Sequence, residues 1–172
     1  MWIGGQLLPS FRTERYRAAM PPNPPPQTLL LHTDERIAIA LDLVDGWLYV
    51  DWRGPQTPAS VQAGCERILD AVRAGRAKQI LNDNRRVVGT WHDETVLTWA
   101  RDVWFPALWA AGVREFAWVQ SPSVTSRASA NQSLMELSRA DVDRCMLFFD
   151  AGEATDWLRL RRKLGASERH GG

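Results

Sequence analysis

The chain has 172 residues, 45% hydrophobic and 24% charged, with 21 Lys and Arg against 20 Asp and Glu, the make-up of one globular domain with short tails rather than two separate cores. A folded chain of this length hides roughly 70% of the surface its unfolded form exposes, so its core needs neither disulfide nor metal. A net charge of +1 argues against nucleic acid and acidic membranes, whose binding draws on a marked cationic excess, and the only two cysteines, Cys65 and Cys145, fit a reducing cytoplasm.

No secretory signal is expected, because Leu7 and Leu8 are followed at once by Pro9, Ser10 and the charges Arg12, Glu14, Arg15 and Arg17. No apolar run approaches the length of a membrane span. Residues 1–28 are expected to form a disordered leader, in which Pro21–Pro26 contains five prolines and acts as a semi-rigid spacer or as a ligand for a proline-binding domain. Met20 is a second candidate start. The domain is expected over residues 29–164, and residues 165–172 as a disordered tail.

Partial alternation from Arg36 to Leu43, then Asp45-Gly46, then Trp47 to Trp52 predicts a hairpin. Its second strand puts Trp47, Tyr49 and Asp51 on one face and Leu48, Val50 and Trp52 on the other, so it belongs inside the sheet. Thr57 caps a helix with Pro58 at its first position, Val61, Cys65, Ile68, Leu69 and Val72 form its apolar stripe, and Gly75 stops it. A short strand from Lys78 to Asp83 leads into a polar loop from Asn84 to Gly89.

Thr90 and Asp93 have capping-box spacing for a helix that runs to about Ala111. On an ideal wheel Val96, Leu97, Ala100, Val103, Trp104, Ala107, Leu108 and Ala111 share the core face, leaving Trp99, Phe105 and Trp109 outside it, with Pro106 able to bend the rod. A strand Glu115 to Val119, a serine-rich helix between Ser123 and Arg139, a strand Met146 to Phe149 and a last helix carrying Trp157, Leu158 and Leu164 complete the order. A hairpin followed by alternating helix and strand is an α/β fold.

The hairpin ending Tyr49-Val50-Asp51-Trp52-Arg53-Gly54, the run Leu81-Asn82-Asp83-Asn84-Arg85, Trp104-Phe105-Pro106 with Ala110-Ala111-Gly112-Val113, and Phe148-Phe149-Asp150 with Ala154 and Trp157-Leu158 resemble bacterial STAS-like proteins of the SpoIIAA-like fold, and more distantly CRAL-TRIO lipid-binding domains. The resemblance covers residues 29–160 and implies a mixed sheet of about five strands, an N-terminal hairpin then parallel βα units, flanked by about four helices. It also implies a protein-interaction module in signalling rather than an enzyme. In the phosphorylatable members a Ser or Thr comes directly after the Asp that ends the middle strand; here Asp83 is followed by Asn84-Arg85-Arg86, so that phosphoswitch is not expected.

Ligands of parallel sheets gather beyond the carboxyl ends of the strands. The candidate ligand-binding residues there are Asp83, Asn84, Arg85, Arg86, Trp91, His92 and Ser121, with Arg53 and Gln120 beside them. Guanidinium forks suit an anionic group, while the plainer reading pairs Asp83 with an arginine to hold the loop. His92 titrates near neutrality but has no recognisable nucleophile beside it, and with His32 in a connection and His170 in the tail a metal site is not expected. The absence of a glycine-rich phosphate loop or dinucleotide fingerprint argues against an NTPase or dehydrogenase. Arg159, Arg161, Arg162 and Lys163 are expected to complement the last helix's C-terminal dipole.

The expectation is thus a cytoplasmic, non-enzymatic module without cofactor, binding a protein partner or itself as a homodimer through Trp99, Phe105 and Trp109. The alternative is a binding protein for a small amphipathic or anionic ligand.

Overall fold

The computed structural model describes residues 27–75, 77–89, 93–135, 141 and 143–167. The leader ahead of residue 27, Thr90, Trp91, His92, and the tail from residue 168 lie outside the described residues.

Six strands pair in the order in which they occur in the chain: β1 (Thr28–Thr33), β2 (Ile37–Asp42), β3 (Leu48–Pro55), β4 (Gln79–Val88), β5 (Glu115–Val119) and β6 (Cys145–Phe148). β1 to β3 are antiparallel neighbours, and β3 to β6 run parallel. The mixed sheet and the interior place of β3 agree with the sequence reading; the sixth strand is β1, which holds His32 in a segment expected to be a connection. The turn ahead of β3 is built by Asp42, whose Oδ1 accepts from the backbone N–H of Val44 at 2.8 Å and of Asp45 at 2.9 Å, with Gly46 at a φ of 77°, which glycine adopts without steric cost.

The helices are α1 (Pro58–Arg73), α2 (Glu94–Trp99), a π-helical turn (Ala100–Trp104) running directly into α3 (Phe105–Ala110), α4 (Val124–Met135) and α5 (Ala151–Ser167). α1 starts at a reciprocal Thr57–Ser60 capping box with Pro58 in its first turn. The cap of α2 is Asp93, whose side chain accepts from the Val96 N–H; Thr90, the expected cap, lies outside the described residues. α5 starts at Asp150, whose Oδ1 accepts from the N–H of Gly152 and Glu153, and continues to Ser167, beyond the expected domain end at 164.

Strands that pair in chain order, joined by right-handed crossovers, put successive crossover helices on the same side of the sheet. Accordingly Cys65, Ile68, Trp104, Phe105, Leu108 and Ala130 pack from the helices against Val50, Trp52, Ile80, Phe116 and Trp118 on one face. The final helix comes after the last strand, is no crossover, and returns over the opposite face, where Ala154 and Leu158 meet Trp47, Tyr49, Leu81, Ala117 and Val119.

Two sequence expectations are corrected. Phe105 is 3% exposed, stacked on Trp109 and edge-on to Phe116, so it belongs to the core and not to an outer face; Val103, expected inside, is 54% exposed. The π-helical turn is the cause. Pro106 has no N–H to give the carbonyl four residues back, the Phe105 N–H bonds instead to the Ala100 carbonyl five residues back, and the extra residue rotates α3 about its axis by roughly 100°. Trp99 and Trp109 are half-buried against the same core, and the Arg144 guanidinium lies 5.7 Å from the Trp109 ring centre.

The second correction concerns Asn84 to Val88, expected in a loop and observed as the continuation of β4. Beyond the Asp51–Asp83 register, β4 advances one residue more than β3, so that Arg53 comes to lie beside Arg86.

Candidate functional site

α5 begins at the carboxyl end of β6 and reaches the amino end of β3, where Arg159 Nη2 and Arg162 Nη2 hold Asp45 at 2.8 and 2.9 Å. Arg159 also lies over the Trp47 ring, 5.6 Å from its centre. The arginines expected to serve only the helix dipole therefore clamp the β2–β3 turn. Burial pushes the Asp45 carboxyl up, and the hydrogen bonds and charges of Arg159 and Arg162 outweigh it, so the net shift is below the ordinary carboxylate value.

This diagonal leaves the carboxyl-end corner of the same face, above β3 and β4, to charged side chains. Asp51 and Asp83 are direct neighbours in the parallel pairing, and their side chains are 1% and 4% exposed. Buried carboxylates need partners, and both have them. Arg85 Nη2 donates to Asp83 Oδ2 at 2.6 Å, with its Nε 3.0 Å from Oδ1, and Tyr49 donates its hydroxyl to Asp83 Oδ2 at 2.9 Å. Arg53 Nε donates to Asp51 Oδ2 at 2.7 Å, and Arg86 Nη2 reaches the same oxygen at 2.9 Å. The extra residue of β4 is what lets consecutive Arg85 and Arg86 serve two carboxylates of one face, because strict alternation would send them to opposite sides.

Burial raises the Asp51 carboxyl above its ordinary value in spite of Arg53 and Arg86. Burial, then the Asp83 and Asp51 charges, push the Tyr49 phenol well up, and the hydrogen bond to Asp83 raises Arg85. Tyr49 is therefore a neutral donor and Arg85 a permanent cation at neutral pH. The outer edge of the cluster is cationic: Arg85 and Arg86 are 48% and 37% exposed while the carboxylates lie beneath them.

The structure thus brings together Asp83, Arg85 and Arg86 of the expected site and separates Asn84 and Ser121 from them. Asn84 points to the other face, where its Oδ1 accepts from Asn82 Nδ2 at 3.0 Å. Ser121 is buried, donates to the Val87 carbonyl at 2.7 Å and accepts from the Ser123 N–H, a fastening between the ends of β4 and β5. Trp91 and His92 fall outside the described residues. Tyr49 and Asp51 were missed as site residues, although a carboxylate in a strand apolar on both faces was the signal that would have found Asp51.

Both cysteines are buried, with the Cys145 thiol pushed up to about 12 by burial, so neither is a thiolate at neutral pH. Among the described residues no three His, Cys, Asp or Glu side chains could hold a metal ion, and no helix is long and apolar enough to cross a membrane. No protein-family model matches the chain, and neither a curated protein nor a solved structure does.

Proposed function

We propose that the protein is a non-enzymatic, STAS-like interaction module of the cytoplasm that receives an acidic segment of a protein partner at the carboxyl ends of β3 and β4. The observation that carries this reading is the pair of half-open guanidiniums, Arg85 and Arg86, each anchored by a buried aspartate. A cation already held in place loses little side-chain freedom on meeting an anion, which lowers the cost of binding. The cluster has three arginines over two aspartates, so a net positive charge faces the partner. Catalysis finds less support, because the oxygens of Asp83 are taken by Arg85 and Tyr49 and Asp51 Oδ2 by two arginines. Self-association through the three rings loses Phe105 and would have to use the half-buried Trp99 and Trp109.

The test is a ¹H–¹⁵N titration of the chain with a short poly-glutamate peptide. Shifts should centre on Arg85, Arg86 and Val88, weaken steeply with salt, and fall at least about tenfold in affinity in the Arg85→Gln/Arg86→Gln double variant. Undiminished binding by that variant refutes the reading. Inorganic phosphate binding as well as the peptide would instead favour a small anionic ligand, and light scattering on the same samples reports self-association.

A further inference from the structure

At the opposite end of the strands from Arg85 and Arg86 lies a cleft of about 450 Å³, a volume usual for small-molecule sites. The starts of β4 and β5 line it together with the end of α1 and the last turns of α5. Small residues make the room, with Gly46, Gly75, Ala77, Ala111 and Gly165 in the wall. Arg114 Nη1 stands 3.9 Å from where a Cβ on Gly165 would be, so Arg114 extends from the start of β5 toward α5.

The polar side chains of the described wall fall into two groups. The first is already engaged. Arg162 donates to the Asp45 carboxylate at 2.9 Å and to the Asp45 carbonyl, and Gln79 donates to the Leu158 carbonyl at 2.8 Å. The second group is Lys78, Arg114 and Arg161, three cations with one carboxylate, Glu115, among them. The Arg114 N–H donates to the Lys78 carbonyl at 2.8 Å, which holds these two residues side by side, and among the described residues neither side chain has a hydrogen bond or ion pair. Arg161 Nε is buried without a hydrogen-bond partner; Glu115 Oε1 is 3.9 Å away, beyond hydrogen-bond reach.

Cations near the carboxyl ends of helices complement the helix dipole. That role does not account for a buried donor left without an acceptor, which is costly. The donors of this cleft call for an anionic oxygen. α1 and α3 end in the same wall, at Gly75 and Ala111, and the last carbonyls of a helix have no partner within it, so the cleft also offers acceptors suited to hydroxyl groups.

We infer that this cleft binds a small hydroxylated anion of the size and chemistry of a sugar acid or sugar phosphate, its anionic oxygens held by Arg161, Arg114 and Lys78 and its hydroxyls given to the helix-end carbonyls. A neutral polyol leaves the guanidiniums unanswered, and a bare small anion leaves most of the space to water. The inference is independent of the acidic-partner surface, which lies at the other end of the strands.

The ¹⁵N-labelled full chain is titrated with gluconate, glucose 6-phosphate, sorbitol and acetate. At least one of the two sugar anions is expected to shift the amides of Gln79, Arg114, Glu115 and Gly165 saturably at millimolar concentration, with sorbitol and acetate at least about tenfold weaker. A response to gluconate alone identifies a carboxylate head, to glucose 6-phosphate alone a phosphate head, and to both the shared chemistry. Arg114→Gln and Arg161→Gln should each weaken binding about tenfold, and Gly165→Tyr, which fills the cleft without changing its charge, should abolish it. The inference is overturned by an absence of saturable shifts with both sugar anions, by equal binding of sorbitol or acetate, by arginine variants that bind as the wild type does, or by full binding in Gly165→Tyr. If Gly165→Tyr does not give a folded spectrum, the two arginine variants decide it. Poly-glutamate shifts at Arg85 and Arg86 that persist in Arg161→Gln keep failure here distinct from failure of the proposed function.

Discussion

The two faces of the sheet solve the same problem of burial by different chemistry. One is covered by three helical segments and filled with rings, with Trp104 edge-on to both Phe105 and Phe116. The other has a single helix over part of its area and closes its remaining corner with Asp51, Asp83 and their arginines. Apolar packing needs no exact pairing but tolerates few voids, whereas a charged corner stays buried only while every partner is present. The first face should therefore fail by loss of volume and the second by loss of one partner.

The largest effect is expected from Trp104→Ala. It empties a ring that is 4% exposed and removes the hydrogen bond that its Nε1 donates to the Cys65 carbonyl at 2.7 Å, at a cost of about 3–5 kcal/mol in urea unfolding. Next comes Asp83→Ala, which strips Tyr49 and Arg85 of their acceptor. Arg85 is half exposed and can turn to water, so about 2–3 kcal/mol is expected rather than the full penalty of a buried broken pair. A loss as large as that of Trp104→Ala would show that the charged corner holds the fold as firmly as the aromatic core.

Gly64→Ala sharpens the contrast from the opposite direction. A Cβ there would stand 2.3 Å from the Trp52 ring, so the ring must shift, and the overpacking should cost about 1–3 kcal/mol. Glycine is required at this helix position by close approach and not by backbone angle. A near-neutral result would mean that the packing around Trp52 yields without loss.

The smallest effects are electrostatic. Asp45→Asn, which weakens the clamp by Arg159 and Arg162, should cost about 1 kcal/mol and less at high salt. The two shifted aspartates have opposite signs with pH. Asp45, lowered on folding, contributes stability above its unfolded value near 3.8 that is lost as pH falls through the folded value. Asp51, raised on folding, binds its proton more tightly in the folded state, so the wild type should gain on Asp51→Asn as pH falls from neutrality toward 3.8. Urea midpoints measured from pH 7 to pH 3 read both; parallel curves for wild type and Asp51→Asn would remove the second.

Most of the fold was legible in sequence because local signals agreed with one another. The Thr57-Pro58 entry, the Gly75 stop and the two-sided apolar pattern of β3 each arise within a few residues. The candidate site was half legible. Asp83, Arg85 and Arg86 were identified from their place beyond a strand, yet the polar run that contains them resembled a loop. Pairing with β3 carries it on as strand, a long-range contact that no local pattern encodes. Phe105 was misplaced for a related reason: a wheel assumes one constant turn, and the ladder changes turn just ahead of Pro106.

Composition and periodicity by themselves determined that this is an α/β chain, where α1 starts and stops, and which stripe of α1 faces the sheet, since these depend on backbone preferences and on period. Only the tertiary structure decided that Asp51 and Asp83 stand side by side, that Arg159 and Arg162 reach back to Asp45, and that Asn84 turns away from Arg85 to meet Asn82 on the other face. Each of those depends on strand register or helix phase, where a shift of one residue moves a side chain to the other face.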